Sequence, residues 1–364
     1  MIDGGPATDG MAPAGSGTAG WRGGQVTVVP PTSGAKTAIT VIMPTTDWTG
    51  PFIACAERVV ESIDRGSGDE FIVVFDGEPS PPPRWLADAA TRILATGTRS
   101  GPGAARNRAA DASRGDVLFF VDADVEIAPD AIERVRAAFD ADPDLCGLFG
   151  TYDDSPAAPG LVSRFRNLLH HHTHVTHPGP AATFWAGCGA MRTSRFLAVD
   201  GFDTRYERPS IEDIELGVRV AEMGGSLILD PALRCRHHKC WTLRSMIVTD
   251  VFQRAAPWTR LILGRHQLPA ALNLDWAGRS CGIAAVGLAV ALLAAMVWPM
   301  TLVAAVACIA WIVALNGDFY GLCRRKGGLR FATGCVLLHA LFFLYSTVTF
   351  GCVAVAHRLV GPDD

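Results

Sequence analysis

No C-x-x-C pair occurs in the sequence, and its ten cysteines follow no regular spacing. That excludes a zinc ribbon, a dithiol redox motif and a disulfide framework, and it suits reduced thiols in a cytosolic compartment. Charge of neither sign is in excess: 32 Lys and Arg against 36 Asp and Glu leave a net charge of -4. No strongly basic surface announces a nucleic-acid partner. The Gly-rich stretch GPGAARN lacks the Lys-Ser/Thr of a P-loop. No internal repeat is visible. Residues 1–36 are rich in Gly, Ala, Pro, Ser and Thr and lack the basic start and apolar core of a signal peptide, so they read as a disordered tail.

Charge is missing most conspicuously near the C-terminus. From Cys281 to Gly317 no residue is charged. A bilayer core takes roughly 20 helical residues, so this run suits two short spans joined at Trp298-Pro299-Met300. A third run, Phe331 to Ala356, has no Asp, Glu, Lys or Arg and a single imidazole, His339. Three transmembrane helices are therefore expected over residues 281–358. Arg324, Arg325, Lys326 and Arg330 lie between the second and third runs. The positive-inside rule places that loop, and with it the N-terminal domain, in the cytoplasm of a multi-pass plasma-membrane protein. Spans without acidic or basic residues argue against an ion pathway. Residues 241–280 mix Trp and Arg with apolar residues and read as interfacial amphipathic helices.

The rest of the chain alternates strand and helix. Residues 38–47, 70–77 and 91–97 and the stretch GDVLFFVDADV read as strands, the last one fully apolar. Between and after them, FIACAERVVESIDR, GPGAARNRAADAS and PDAIERVRAAFDADP carry helical spacing. Alternation of this kind predicts an α/β domain over residues 37–240, a mostly parallel sheet with flanking helices. Ligands of such sheets sit beyond the carboxyl ends of the strands. Three strands end there in Pro44-Thr45, Asp76-Gly77 and Asp122-Ala123-Asp124, and one shared site is expected. SIEDIELGVRVAEMGG reads as a further helix, with Ser210 as its cap and Glu212, Asp213 and Glu215 in its first turn.

Two carboxylates one residue apart repel unless something neutralises them. A hard divalent cation with oxygen ligands, Mg2+ or Mn2+, does so, and it would in turn hold a diphosphate. A solvated turn is the alternative, because Asp is common after strands. Arg106 suits bidentate phosphate binding, and the Gly-rich helix start offers backbone donors.

The ordered set VIMPTTD, VVFDG, GPGAARNRA, FFVDADVE, GCGAMR, GFD and EDIELGVR resembles the family 2 inverting glycosyltransferases, over about residues 38–240. The resemblance implies the GT-A fold and a nucleotide-diphosphate sugar donor, and the C-terminal runs suggest membrane-bound members with lipid-linked acceptors. By the same resemblance Pro44, Thr45, Asp76, Arg106, Asn107 and Asp122 would meet the nucleotide sugar. Asp124 and Asp122 would hold the metal, with Glu126 or His238 as a further ligand and His237 as its rival. Asp213 would be the catalytic base, kept ionised by the helix N-terminus, with Glu212 as its substitute. Gln253 and Trp258 would line the acceptor side. Two departures stand out. Phe75 occupies a place where a second Asp is frequent, and QRAAPW only loosely matches the QxxRW of processive synthases, which favours adding one sugar per event.

The run HHHTHVTH (170–177) invites a zinc reading, but its spacing matches no tetrahedral motif and no paired Cys accompanies it. A helix that places His170 and His174 on one face, ending in a polar or interfacial segment, fits it better. Two other function classes remain open. One is a polyprenyl-phosphate sugar transferase, whose phosphate acceptor needs little base help. The other is a non-catalytic membrane subunit that retains the fold.

Overall fold

The computed structural model describes residues 36–265 and 276–360. The tail expected over residues 1–36 therefore lies outside the described residues, Lys36 excepted. In chain order the elements are β1 (Ile39–Thr45), α1 (Pro51–Ser62), β2 (Glu70–Phe75), α2 (Arg84–Asp88), β3 (Arg92–Ala95), α3 (Gly101–Ala112), β4 (Val117–Val121), β5 (Val125–Ile127), α4 (Ala131–Ala141), β6 (Leu145–Tyr152) and α5 (Leu161–Thr176). They continue with β7 (Gly179–Ala181), β8 (Cys188–Arg192), α6 (Thr193–Ala198), α7 (Glu212–Glu222), β9 (Ser226–His237), α8 (Leu243–Val248), a π-helical stretch Thr249–Ala255, α9 (Ala256–Gly264), α10 (Trp276–Ala294), α11 (Thr301–Leu315) and α12 (Gly317–Val360).

One mixed sheet runs β3-β2-β1-β4-β8-β6-β9-β5, with β7 also paired to β9. The first four strands are parallel. Beyond them β8 runs antiparallel to both of its neighbours, and β6 and β9 are parallel to each other. The reversal begins where the regular strand-helix alternation of the sequence gives out. A short helix, α2, follows the Pro-rich stretch 79–83.

Every residue of β1 and β4 is buried, as strands covered on both faces must be. Alternation then sorts their side chains. Val117, Phe119 and Val121 join the layer formed with Phe52, Val59, Val135 and Phe139 of α1 and α4. Leu118 and Phe120 join the layer formed with Ala105, Ala109, Leu216 and Val220 of α3 and α7. This parity continues one residue past the strand and sends Asp122 toward α3 and α7. Close packing on that face depends on Gly217 in α7. A Cβ there would lie 2.2 Å from the Phe184 nitrogen and 2.5 Å from the Thr183 carbonyl carbon. Backbone cannot move aside as a side chain can. Gly217→Ala is therefore expected to destabilise the domain by on the order of 3 kcal/mol, read as a lowered thermal midpoint in detergent.

The C-terminal helices are docked on the domain through α5. Phe165 and Leu168 pack with Trp241, Met246, Phe319, Tyr320 and Phe331 in one buried cluster. At Gly328, where φ is +76°, the helical path of α12 breaks. Just before this break Lys326 meets the domain: it pairs with Asp154 at 2.6 Å, and Arg164 donates to the Lys326 carbonyl at 2.8 Å. Two helices, α10 and α12, are long and apolar enough to cross a membrane, whereas α11, at 15 residues, is apolar but shorter. The six-residue gap between α10 and α11 holds Trp298, Pro299 and Met300, all outside helix. Ile283, Leu293, Val303, Val306, Leu337 and Val355 are exposed on these helices, a large outward apolar surface.

Candidate active site

The carboxyl ends of β1, β2 and β4 lie side by side because the three strands are parallel neighbours. Thr45 closes β1, and its carbonyl accepts the Asp76 N–H at 2.7 Å, extending the β1–β2 ladder by one bond. Asp76 is buried, and its carboxylate is fully engaged. It accepts the backbone N–H of Ser100 at 2.9 Å and of Gly101 at 3.1 Å, and the Thr96 hydroxyl at 3.1 Å. Those two amides open α3, which has no side-chain cap of its own. Asp76 thus supplies the missing cap from across the loop. Gly101 is required at that turn: its φ is +89°, and a Cβ would meet the Glu207 carbonyl at 2.7 Å.

Two residues assigned to the nucleotide by resemblance have definite protein partners. Asn107 donates to the Phe202 carbonyl at 2.8 Å and accepts the Phe202 N–H at 2.9 Å, so its amide clamps the loop before α7. Arg106 is buried, 3 % exposed, and lies between two carboxylates. It bonds Asp122 at 2.6 Å and Glu212 at 3.1 Å, and its guanidinium lies 5.2 Å from the Phe202 ring centre. Removing this cation would leave two carboxylates without their counter-charge. Arg106→Ala is expected to cost about 3–5 kcal/mol of stability, seen as an early thermal transition, with Arg106→Lys intermediate.

Asp122 and Asp124 flank Ala123 in the turn between β4 and β5, each side chain about one-third exposed. Burial raises the Asp122 carboxyl above the ordinary range against the pull of Arg106, and Asp124 adds to the rise. Burial acts on Asp124 in the same sense, but the hydrogen bond and charge of His237 and the charge of Lys239 bring it below the ordinary range. The His237 Nε2 lies 3.5 Å from Asp124, at the end of β9. His238 does not face Asp124. Its Nε2 lies 2.8 Å from Glu126, and Arg58 lies 3.6 Å from the same carboxylate. His237 is the last residue of β9 and His238 the first beyond it, and the two part: one to Asp124, the other to Glu126.

Among the described residues no trio of His, Cys, Asp and Glu is already gathered around a point that could hold a metal ion. The donor types do fit a divalent cation. Asp122 and Asp124 offer partly exposed oxygens, and His237 offers a nitrogen, a mixture suited to Mn2+.

Asp213 is the second residue of α7, within reach of the Glu212 and Arg106 charges. Its carboxylate accepts the Ala186 N–H at 3.1 Å and its neighbour Ile214 N–H at 2.8 Å. Burial and the adjacent Glu212 charge nevertheless push it up to about 7, against Arg106 and these two amides. The helix N-terminus thus does not hold Asp213 fully ionised at neutral pH, because desolvation outweighs it. Glu212 is committed to Arg106 and to the Ser210 N–H at 2.8 Å. Ser210 does not cap α7. The helix begins at Glu212 after Ile211, and the Ser210 hydroxyl donates to the Gln253 carbonyl at 2.9 Å instead. Through that bond the loop of Asp213 touches the π-helical stretch, while Trp258 sits half-buried in α9.

The histidine run forms the last turns of α5. His170 and His174 share a face, with ring centres 4.0 Å apart. His174 bonds the Gly150 carbonyl and His171 the Tyr152 carbonyl. Burial lowers His174 to about 4. The Tyr152 ring lies between His170 at 4.2 Å and His237 at 4.4 Å, and Trp185 closes the group. Sequence reasoning singled out neither Tyr152 nor Trp185. Trp185 is next to the Ala186 whose N–H Asp213 accepts, and no motif read from the sequence includes it.

Residues 40–198 match the family model "Glycosyl transferase family 2". No curated protein matches the chain. Among solved structures, the chain is similar to the mannosyltransferase PcManGT from Pyrobaculum calidifontis in complex with GDP-Man and Mn2+. The identity is 15 %, 92 % of this chain and 90 % of that one are covered, and the TM-score is 0.54. It is also similar to S. aureus TarS 1-349, at 15 % identity over 89 % of this chain and 92 % of that one, with a TM-score of 0.47. The fold is thus a GT-A-like mixed α/β sheet with flanking helices, followed by apolar helices.

Proposed function

We propose that a chain with this glycosyl transferase family 2 match is a membrane-anchored inverting glycosyltransferase. It moves one sugar per event from a nucleotide-diphosphate sugar to a hydroxyl on a lipid-linked acceptor, with a divalent cation. The observation that carries this reading is the convergence at the strand ends. A partly exposed carboxylate pair, Asp122 and Asp124, and a carboxyl poised near neutrality, Asp213, share one network through Arg106 and Glu212. The similar Pyrobaculum protein, solved with GDP-Man and Mn2+, supports the donor and cation classes.

Asp122, Asp124 and His237 would hold the cation, which when bound offsets negative charge developing on the leaving diphosphate. Arg106 fixes Asp122 in place, and the Ala186 and Ile214 amides fix Asp213. In a single displacement Asp213 takes the proton of the acceptor hydroxyl. That oxygen attacks the anomeric carbon from the face opposite the diphosphate, so the configuration inverts. A carboxyl near 7 suits this role, since general bases work best close to the operating pH. Pro44, Thr45 and Asp76 form the floor of the donor side, and Gln253 and Trp258 border the acceptor side. Lys326 and Arg164 join the basic segment of α12 to the domain, which favours both lying on one side of the membrane, the cytoplasmic one. In this arrangement α10, α11 and the second part of α12 are the three spans, and α8 to α9 lie at the interface.

The test is transfer into lipid. Detergent-solubilised protein is incubated with labelled nucleotide sugars and a membrane lipid extract. Label is expected in the organic phase, in a product whose anomeric configuration is opposite to the donor's by NMR. Absence of label from the organic phase with every donor, or a retained configuration, contradicts the proposal.

A further inference from the structure

Trp241 lies between the end of β9 and the start of α8, with its indole 8 % exposed. Three cations converge on it, from the segment after β9, from α5 and from the π-helical stretch. Lys239 Nζ is 4.4 Å from the ring centre, the Arg166 guanidinium carbon 5.7 Å and that of Arg254 6.0 Å. Among the described residues one carboxylate pairs with them. Asp250, 3 % exposed, pairs with Arg166 at 3.0 Å and Arg254 at 3.3 Å, and also accepts the Tyr345 hydroxyl at 2.5 Å. Three positive charges against one negative leave an excess of two. Lys239 is exposed, and Arg254 keeps 47 % of its side chain in solvent. Among the described residues no carboxylate lies within ion-pair distance of Lys239. Its charge also reaches Asp124.

The ring faces contribute attraction, but like charges gathered this closely still call for an anion. Arg and Lys together are the usual pair for a phosphate. The surroundings say what carries it. Leu243, Val248 and Phe252, on α8 and the π-helical stretch, are 44, 43 and 71 % exposed. Tyr345, bonded to Asp250, belongs to the apolar helix α12. A cation cluster rimmed by exposed apolar residues fits a phosphorylated amphiphile better than free phosphate. The π-helical geometry of Thr249–Ala255 fits a site as well, since such stretches are frequent at functional positions.

We propose that Lys239 and Arg254, set around Trp241, bind the phosphate of the lipid that carries the acceptor, an assignment that rests on the proposed function. Arg166 and Asp250 position Arg254, and the lipid chain leaves across Leu243, Val248 and Phe252.

The experiment uses the full chain in a neutral detergent. It is titrated with a long-chain prenyl phosphate, the matching prenol and inorganic phosphate, and separately with nucleotide sugars. Prenyl phosphate is expected to bind at least about tenfold tighter than prenol or inorganic phosphate. Lys239→Gln should lose about tenfold for prenyl phosphate alone, and Lys239→Arg should restore most of it. Arg254→Gln should show the same selective loss. Equal binding of prenol and prenyl phosphate overturns the proposal, as does an unchanged affinity in Lys239→Gln. Displacement of prenyl phosphate by phosphatidylglycerol in nanodiscs at equal concentration also overturns it, because the site would then be a general headgroup site. Prenyl phosphate binding without any nucleotide-sugar binding would sink the transferase reading while leaving the phosphate site standing. The reverse pattern would do the opposite.

Discussion

Asp213→Asn is expected to lower kcat by roughly 10^2 to 10^4-fold, with donor affinity nearly unchanged. The substitution keeps shape and removes proton-accepting capacity, at the cost of one of the two backbone N–H bonds that the carboxylate accepts. In the wild-type protein the Asp213 carboxyl is raised from 3.8 to about 7, by burial first and the Glu212 charge second. Its proton is therefore on below pH 7 and off above it. The transfer rate should climb with pH up to about 7 and then level, a limb absent from any residual activity of Asp213→Asn. The same shift has a sign for stability. Because the folded state holds this proton more tightly than the unfolded chain, the contribution favours folding at low pH and is lost as pH rises through about 7. A rate that survives Asp213→Asn would instead favour a phosphate nucleophile, which needs no base, and so a polyprenyl-phosphate sugar transferase. Kinetics across pH 5 to 9, on both proteins, separate the two.

The second large effect is expected at Asp124. Its carboxylate sits in the turn after β4, one-third exposed and 3.5 Å from His237, and among the described residues no Arg pairs with it. Asp122, by contrast, is tied to Arg106. Asp124→Ala should thus spare the fold while removing an oxygen donor from the cation site. Nucleoside-diphosphate affinity in Mn2+ should fall by on the order of 100-fold or more, toward its value without metal. Calorimetric titration with and without Mn2+ measures this directly. If the variant keeps its Mn2+ dependence, the carboxylate pair is no part of a cation site, and a non-catalytic subunit that retains the fold becomes the better reading.

The strands of the N-terminal half are legible in the sequence because they are short apolar runs closed by Pro, Gly or Asp. Their alternation with helices also announces a parallel sheet there. The later antiparallel strands are not, since β7 and β8 are short and rich in Gly and Ala, with little pattern to read. What a side chain touches is harder still. Arg106 and Glu212 are 106 residues apart, so nothing local tells that the guanidinium is enclosed by Glu212 and Asp122. Asn107 likewise meets Phe202, 95 residues away. For His237 and His238 nothing local tells which one meets Asp124, since the partner that takes His238 away, Glu126, is 112 residues distant. The raised Asp213 carboxyl depends on its burial in the folded domain, a tertiary fact that the helix-end argument omits.

The most direct measurement is a screen of UDP-, GDP- and dTDP-sugars for Mn2+-dependent hydrolysis by the detergent-solubilised protein. One donor class should turn over, with activity removed by chelation and absent in Asp124→Ala. No turnover and no binding with any of these donors, by a folded protein, would contradict the transferase account.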